Sequence, residues 1–430
     1  MSFQTLARLA AWAVCAIPIL GQPRIAAEPL KILLEQAEAN NQELAAMRTR
    51  SDEARGNLRQ AGVRPPLTLE AGSASGRPLR TVGEEEYSAG FGKTFETGGK
   101  RARRIDAAEV RISQTAAEYQ ERLRQLSFEI KSRYADALTE TLRIGVLEQI
   151  LASNQRSLEL TKARVEKGDA AQLEQTLLEV EIGRLMAQKA TVAGRRESAL
   201  VDLRRLAGLA SGTDVPLGSA FHSGPIASAM DTLNTAALEQ RPDLKLARLV
   251  EQLGDAELRL VEAEGRPDVS MTARYFKRNS QFDDQYGVNA QGSRVLLRDR
   301  DDILAISVSI PILTKARNLG NVEAAQARIV GARQRARYLL NSIPLEVESA
   351  WRRWSATRST AGSLDSAVLP QAQRNLDVIQ QAYQLGQLRM LDVLNEQRRL
   401  LDLRLSTLDA QAEAARAFAE LERAVGGTIR

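Results

Sequence analysis

Side chains fit for metal or nucleophilic chemistry are scarce in this chain, and the scarcity sets the first limits. The 430 residues include one histidine and one cysteine, so no Cys/His zinc site, iron–sulfur cluster or redox pair can be assembled. His222 stands in a Gly/Ser/Pro-rich stretch, where a surface histidine outweighs a metal ligand, and a lone linker histidine forms no nucleophile–base–orienter triad. Cys15 follows Trp12-Ala13-Val14 and lacks the Leu-small-small pattern of a lipid anchor. Gly98-Gly99-Lys100 invites a phosphate-loop reading, but Thr94 stands where that motif needs Gly, and Arg101 where it needs Ser or Thr. Its simpler role is a bend from strand into helix, with Lys100, Arg101, Arg103 and Arg104 solvated or near lipid headgroups. The 54 carboxylates are too many for any pair to signal acid–base catalysis. The expectation is no enzyme, no cofactor and no metal site.

Hydrophobic residues make up 43% of the chain and charged residues 26%, which excludes both a disordered chain and a bundle of apolar membrane helices. The 59 basic residues are interspersed with the acidic ones and form no stripe with aromatics, so no nucleic-acid partner is expected. Met1 to Ala27 reads as a signal peptide, with Arg8 in a basic head, an apolar run from Leu9 to Leu20, and Ala26-Ala27 before Glu28.

The rest of the chain repeats itself. Asn41-Gln42-Glu43-Leu44 recurs as Arg241-Pro242-Asp243-Leu244, and Arg64-Pro65 as Arg266-Pro267. Glu129 to Tyr134 matches Glu346 to Trp351; Gly168 pairs with Gly386 and Gly208 with Gly426. The expected plan is a first repeat over 28–210, a linker over 211–230 and a second repeat over 231–430. The offset between the halves grows between Arg64 and Glu129, and since insertions are tolerated in loops, Lys277 to Asp302 reads as a loop longer than its counterpart, Gly72 to Glu86.

Around those loops the polarity alternates with period two. Leu67, Leu69 and Ala71; Tyr87, Ala89, Phe91 and Phe95; Val269, Met271, Ala273 and Tyr275; and Leu304, Ile306, Val308 and Ile310 give four strands in two hairpins, about 67–96 and 268–313. The remainder is long helix. Ala108, Ile112, Tyr119, Leu123, Leu126, Ile130 and Tyr134 mark a coiled-coil seam from about Arg101 to Val165. Gly168 breaks it and a second helix returns to Ala207; Asn321 to Leu385, Gly386 and a return to Val425 repeat the pattern, with Pro344 and Pro370 expected to kink the longer helix. Trp351 and Trp354 read as packing anchors.

The apolar strand faces need a solvent other than water, because the helices leave the strands end-on. Lipid serves, with polar side chains facing a lumen. Four strands are too few to close a barrel, and an open edge is not tolerated in hydrocarbon, so chains must pool strands: two copies give eight and three give twelve.

The paired hairpin and helical halves, Val308-Ser309-Ile310-Pro311-Ile312-Leu313, and Tyr383 through Leu394 resemble the TolC-type outer-membrane factor family over nearly the whole chain after the signal. Glu96-Thr97-Gly98-Gly99-Lys100-Arg101 is similar to a segment of its CzcC-like, heavy-metal efflux branch. The resemblance implies a mainly α fold with a small β part: a coiled-coil helical barrel across the periplasm and a twelve-stranded outer-membrane β-barrel pooled by a homotrimer. It further implies a periplasmic adaptor and an inner-membrane pump of the RND type as partners, and an exit duct for divalent heavy-metal cations, seated in outer-membrane lipid; drug efflux or type I protein secretion is the alternative. Asp392-Val393-Leu394-Asn395 resembles the family's aperture run, with Asn395 in place of a second acid; alternatively Asp392 is a first-turn acid favoured by the helix dipole. Tyr383 matches an aromatic of the closed state, with Leu388 where its arginine partner would stand, and Gly168 and Gly386 mark the tips that would meet the adaptor. A soluble coiled-coil scaffold is the contrasting reading, without strands that lack an internal partner.

Overall fold

The computed structural model describes residues 28–76, 78, 84–221, 224, 229–312 and 316–429; the expected signal peptide and His222 lie outside the described residues. Each half begins with a short helix pair, α1 (Pro29–Asn40) and α2 (Gln42–Ala61) in the first, α5 (Met230–Gln240) and α6 (Pro242–Glu264) in the second. Strands β1 (Leu67–Ser75) and β2 (Glu85–Phe95) lead into α3 (Lys100–Glu166) and α4 (Gln172–Ala207); β3 (Val269–Val288) and β4 (Arg294–Ser309) lead into α7 (Ala316–Ser363), α8 (Leu369–Gln384) and α9 (Met390–Val425). At 67 residues, α3 runs about 100 Å at 1.5 Å per residue.

The strands form one antiparallel sheet in the order β1-β2-β3-β4, so the halves are stitched together by β2 against β3, from Glu85↔Asn279 to Phe95↔Val269. The expected loop from Lys277 to Asp302 is instead largely strand. Pairs continue from Lys277↔Asp302 through Gln281↔Arg298, resume at Tyr286↔Leu296 after an irregularity, and end at Val288↔Arg294. Apolar alternation marks a strand only where one face is greasy; over Lys277–Gln281 and Arg298–Asp302 both faces are polar, the pattern vanishes, and backbone pairing persists. Asn289 closes the turn by accepting from the N–H groups of Gln291 and Ser293, with Gly292 at φ +77°.

The helical shafts carry two corresponding cores. Leu33, Leu44, Leu126, Ile130, Leu138 and Leu203 belong to one; Leu233, Leu244, Ile343, Val347, Trp354 and Phe418 belong to the other. Trp354 and Phe418 pack with their rings tilted by 48° and centroids 6.5 Å apart, and Trp351 packs on the same cluster, as packing anchors should. The two prolines differ in effect. Pro344 lies within the continuous α7, whereas Pro370, in the first turn of α8, follows a wide π turn at Leu364–Val368, which relieves the clash of the proline ring with the preceding turn.

Candidate functional site

The sheet has two chemically distinct faces. One cross-strand row runs Leu69, Phe91, Ala273, Ile306 and the next Ala71, Ala89, Tyr275, Leu304. Leu69 is 86% exposed, and Leu304 and Ile306 are each 69% exposed, a level of exposure that water would penalise over so contiguous a patch. The opposite face carries Glu70 paired with Arg274, Arg278 with Glu86 at 2.9 Å, and the Thr272 and Ser307 hydroxyls at 2.5 Å. This is the greasy-outside, polar-inside alternation of a barrel wall.

Where wall meets shaft, the Glu96–Arg101 segment forms an elbow. Gly98 and Gly99 take φ +71° and +73°, the left-handed conformation that lets β2 turn into α3. The Thr97 N–H donates to Asp268 Oδ1 at 3.1 Å and its hydroxyl to the Pro267 carbonyl. Lys100 Nζ bridges to Asp268 at 2.7 Å, and Arg104 grips Glu96 through two bonds of 2.5 and 2.9 Å. Lys100 is therefore buried, contrary to expectation, and Arg104 is half-buried in its ion pair; Arg101 and Arg103 are exposed. The segment works as a joint because the helix-to-strand turn of the second half, Arg266-Pro267-Asp268, lies against it.

At the far end, Gly168 (φ +81°) and Gly386 (φ +74°) make the two helical turns, and a Cβ at either would meet nothing within 4 Å. Backbone conformation alone demands glycine there, and the tips present open surface. Behind them Leu178, Met390, Val393 and Leu394 form a buried cluster, with Leu158, Ile379 and Tyr383 packed on it. Burying Val393 and Leu394 turns Asp392 and Asn395, three residues apart, to the exposed face of α9. Asp392 is also a helix cap: its Oδ2 accepts from the Arg389 N–H at 3.0 Å.

Tyr383 connects the two hairpins. Its hydroxyl donates to Glu174 Oε2 at 2.8 Å and accepts from Arg164 Nη1 at 3.3 Å, with the Arg164 guanidinium 5.8 Å from the ring centre. Burial, and then the Glu174 bond, push the phenol pKa up, so the hydroxyl keeps its proton. Leu388 indeed supplies no arginine, yet Arg164 supplies one from the other half. Sequence reasoning missed Arg164 and Glu174, whose only signal was their closeness to Gly168. Two turns deeper, Arg398 of α9 reaches Glu181 of α4 at 2.6 Å, and Arg184 does so at 2.7 Å. Burial raises the Glu181 pKa, but the arginine hydrogen bonds outweigh it and hold the carboxyl below its usual range.

Among the described residues no helix is long and apolar enough to cross a membrane, and no group of three metal-ligating side chains occurs.

Comparisons with known proteins agree with this architecture. A family model described as outer membrane efflux protein matches residues 33–209 and 233–427, one segment in each half. The cobalt-zinc-cadmium resistance protein CzcC of Cupriavidus metallidurans is 26% identical over 94% of this chain and 92% of its own length. The outer membrane protein TolC of Vibrio cholerae is 21% identical over 93% and 91%. The crystal structure of the Campylobacter jejuni CmeC outer membrane channel superposes with a TM-score of 0.72 at 14% identity, covering 94% of this chain and 86% of that one. With both of its halves matched, this chain belongs to the outer membrane efflux protein family.

Proposed function

We propose that the protein is the passive exit duct of a tripartite efflux system, passing divalent heavy-metal cations across the periplasm and outer membrane. The observation that carries the reading is the four-stranded sheet with one greasy face, one charged face and two unpaired edges. Three copies joined β1 to β4 give a twelve-stranded cylinder with no edge in lipid. The helical shafts then continue the tube through the periplasm. Similarity to CzcC, a cobalt-zinc-cadmium resistance protein, supports the cargo.

In this assembly Asp392 and Asn395, repeated round the axis, line the periplasmic aperture, where three carboxylates favour hydrated cations. The Tyr383–Glu174–Arg164 contact holds the two hairpins in the closed arrangement, and the turns at Gly168 and Gly386 meet a periplasmic adaptor coupled to an inner-membrane pump of the RND type. The pump supplies the driving force, and no catalytic step is assigned to this chain.

Deleting the gene and titrating cobalt, zinc, cadmium and organic toxins tests the reading. Sensitivity to the metals, restored by the intact gene, supports it; unchanged metal tolerance with a lost secreted protein or lost drug tolerance assigns the duct to those cargoes instead.

A further inference from the structure

The apolar core of the helical shaft is interrupted before it reaches the tips. Leu147, Leu151, Leu185, Val192 and Leu401 form one buried cluster, and the Leu178–Met390–Val393–Leu394 cluster is separate from it. On each helix that passes from one cluster to the other, a polar residue fills the seam between them. Asn154 lies between Leu151 and Leu158 on α3, Glu181 between Leu178 and Leu185 on α4, and Gln397 between Leu394 and Leu401 on α9. In all three cases the steps are three residues and then four, the spacing of core positions in a coiled coil.

The three side chains are 1%, 3% and 8% exposed, respectively. Glu181 is satisfied by Arg184 and Arg398. Asn154 is not: neither its Oδ1 nor its Nδ2 has a hydrogen-bond partner among the described residues, and neither does Gln397 Oε1. A buried amide without a partner opposes the arrangement that buries it, so this layer favours any state that admits water or a new partner. The helix leading to the second tip is also set apart, since α8 is separated from α7 by the π turn at Leu364–Val368.

We propose that Asn154, Glu181 and Gln397 form a hinge layer about which the two tip segments, 158–178 and 376–394, swing relative to the shaft. Water enters to bond the two amides as the segments tilt, while the Arg398–Glu181 contact serves as the pivot. The tip cluster includes Tyr383 and borders Asp392 and Asn395, so the movement carries the aperture side chains; this consequence rests on the aperture reading above.

The test uses the full-length assembled protein in lipid nanodiscs. Hydrogen exchange in the wild type is expected to step at the layer, with amides of 158–178 and 376–394 exchanging together and at least about tenfold faster than those of 140–151. The double variant Asn154→Leu, Gln397→Met is expected to slow exchange in the tip by about tenfold, leave the shaft unchanged, and lower the open probability in planar bilayers. Uniform wild-type protection across the layer, or unchanged tip exchange in the assembled variant, overturns the proposal; if the variant does not assemble, the wild-type profile decides. An exchange effect with unchanged conductance, in that variant and in Tyr383→Phe alike, removes the aperture reading and leaves the hinge standing.

Discussion

Asn41 and Arg241 hold the same joint in the two halves with different chemistry. Asn41 Nδ2 donates to the Leu206 carbonyl at 2.8 Å, and Arg241 Nη1 donates to the Ala424 carbonyl at 3.2 Å, each tying the start of a second helix to the end of a returning one. Beside each stands a glycine with positive φ, Gly208 at +67° and Gly426 at +99°. A Cβ on Gly208 would strike the Asn40 backbone, and one on Gly426 would sit 3.0 Å from Arg241. Asn41 also caps α2, accepting from the Glu43 and Leu44 N–H groups at 2.9 and 3.0 Å. Arg241 pairs instead with Asp243 at 2.6 Å and Glu346 at 2.8 Å.

Asn41→Ala removes the cap and strands a buried carbonyl, which together cost about 2 kcal/mol. Urea unfolding should register that loss; a change within about 0.5 kcal/mol, the range of ordinary surface substitutions, would show that the amide does not hold the joint.

Arg241→Met leaves Asp243 buried against a weaker partner, Arg124 at 3.7 Å, and should destabilise by about 3 kcal/mol at neutral pH. Burial pushes the Asp243 pKa up, but the Arg241 hydrogen bonds more than offset it and keep the carboxyl below its usual range. A depressed carboxylate contributes stability that is complete above its unfolded value, about 3.9, and is lost as pH falls through the folded value. The gap between wild type and variant should therefore be widest at pH 7 and shrink below about pH 4. A gap independent of pH from 7 to 3 would refute the ion-pair account.

Tyr383→Phe deletes the hydroxyl that joins Glu174 and Arg164. On the proposed latch role, losing about 1.4 kcal/mol of bonding raises an opening equilibrium about tenfold. Single-channel recording in planar bilayers is the check, and an unaltered open probability would retire the latch.

Lys100→Met leaves the half-buried Asp268 with the Thr97 N–H but without its cation at the elbow, where Lys100 is 8% exposed. A loss of about 1–3 kcal/mol is expected, with the largest gain in hydrogen exchange at residues 95–104 and 263–270. Fast exchange confined to the tips would mean that the elbow is held by other contacts.

Much of this architecture was legible because two periodicities do not overlap. The three-four spacing of Leu123, Leu126 and Ile130 and the glycines at 168, 208, 386 and 426 placed the turns and the ends of α3 to within a residue or two, whereas α7 begins at Ala316, five residues before the expected Asn321. The extension of β3 and β4 past Lys277 was illegible because it begins with Lys277–Gln281 and Arg298–Asp302, polar on both faces and without alternation. The partners of Tyr383 and of Glu96 lie in the other half or in a neighbouring turn, and one chain read linearly contains no signal for such pairings. Lys100 misled for a related reason: a cation among four basic residues looks solvated until its acid partner, 168 residues away, is found.

The bare outer margins of β1 and β4 have a genetic consequence. A damaged copy that still offers one sound margin can be recruited into a ring and spoil it for its healthy neighbours. Alleles that injure the shaft or the aperture but spare the sheet should thus behave as poison subunits when co-expressed with the normal gene, while alleles that ruin the sheet are silent in the same cells.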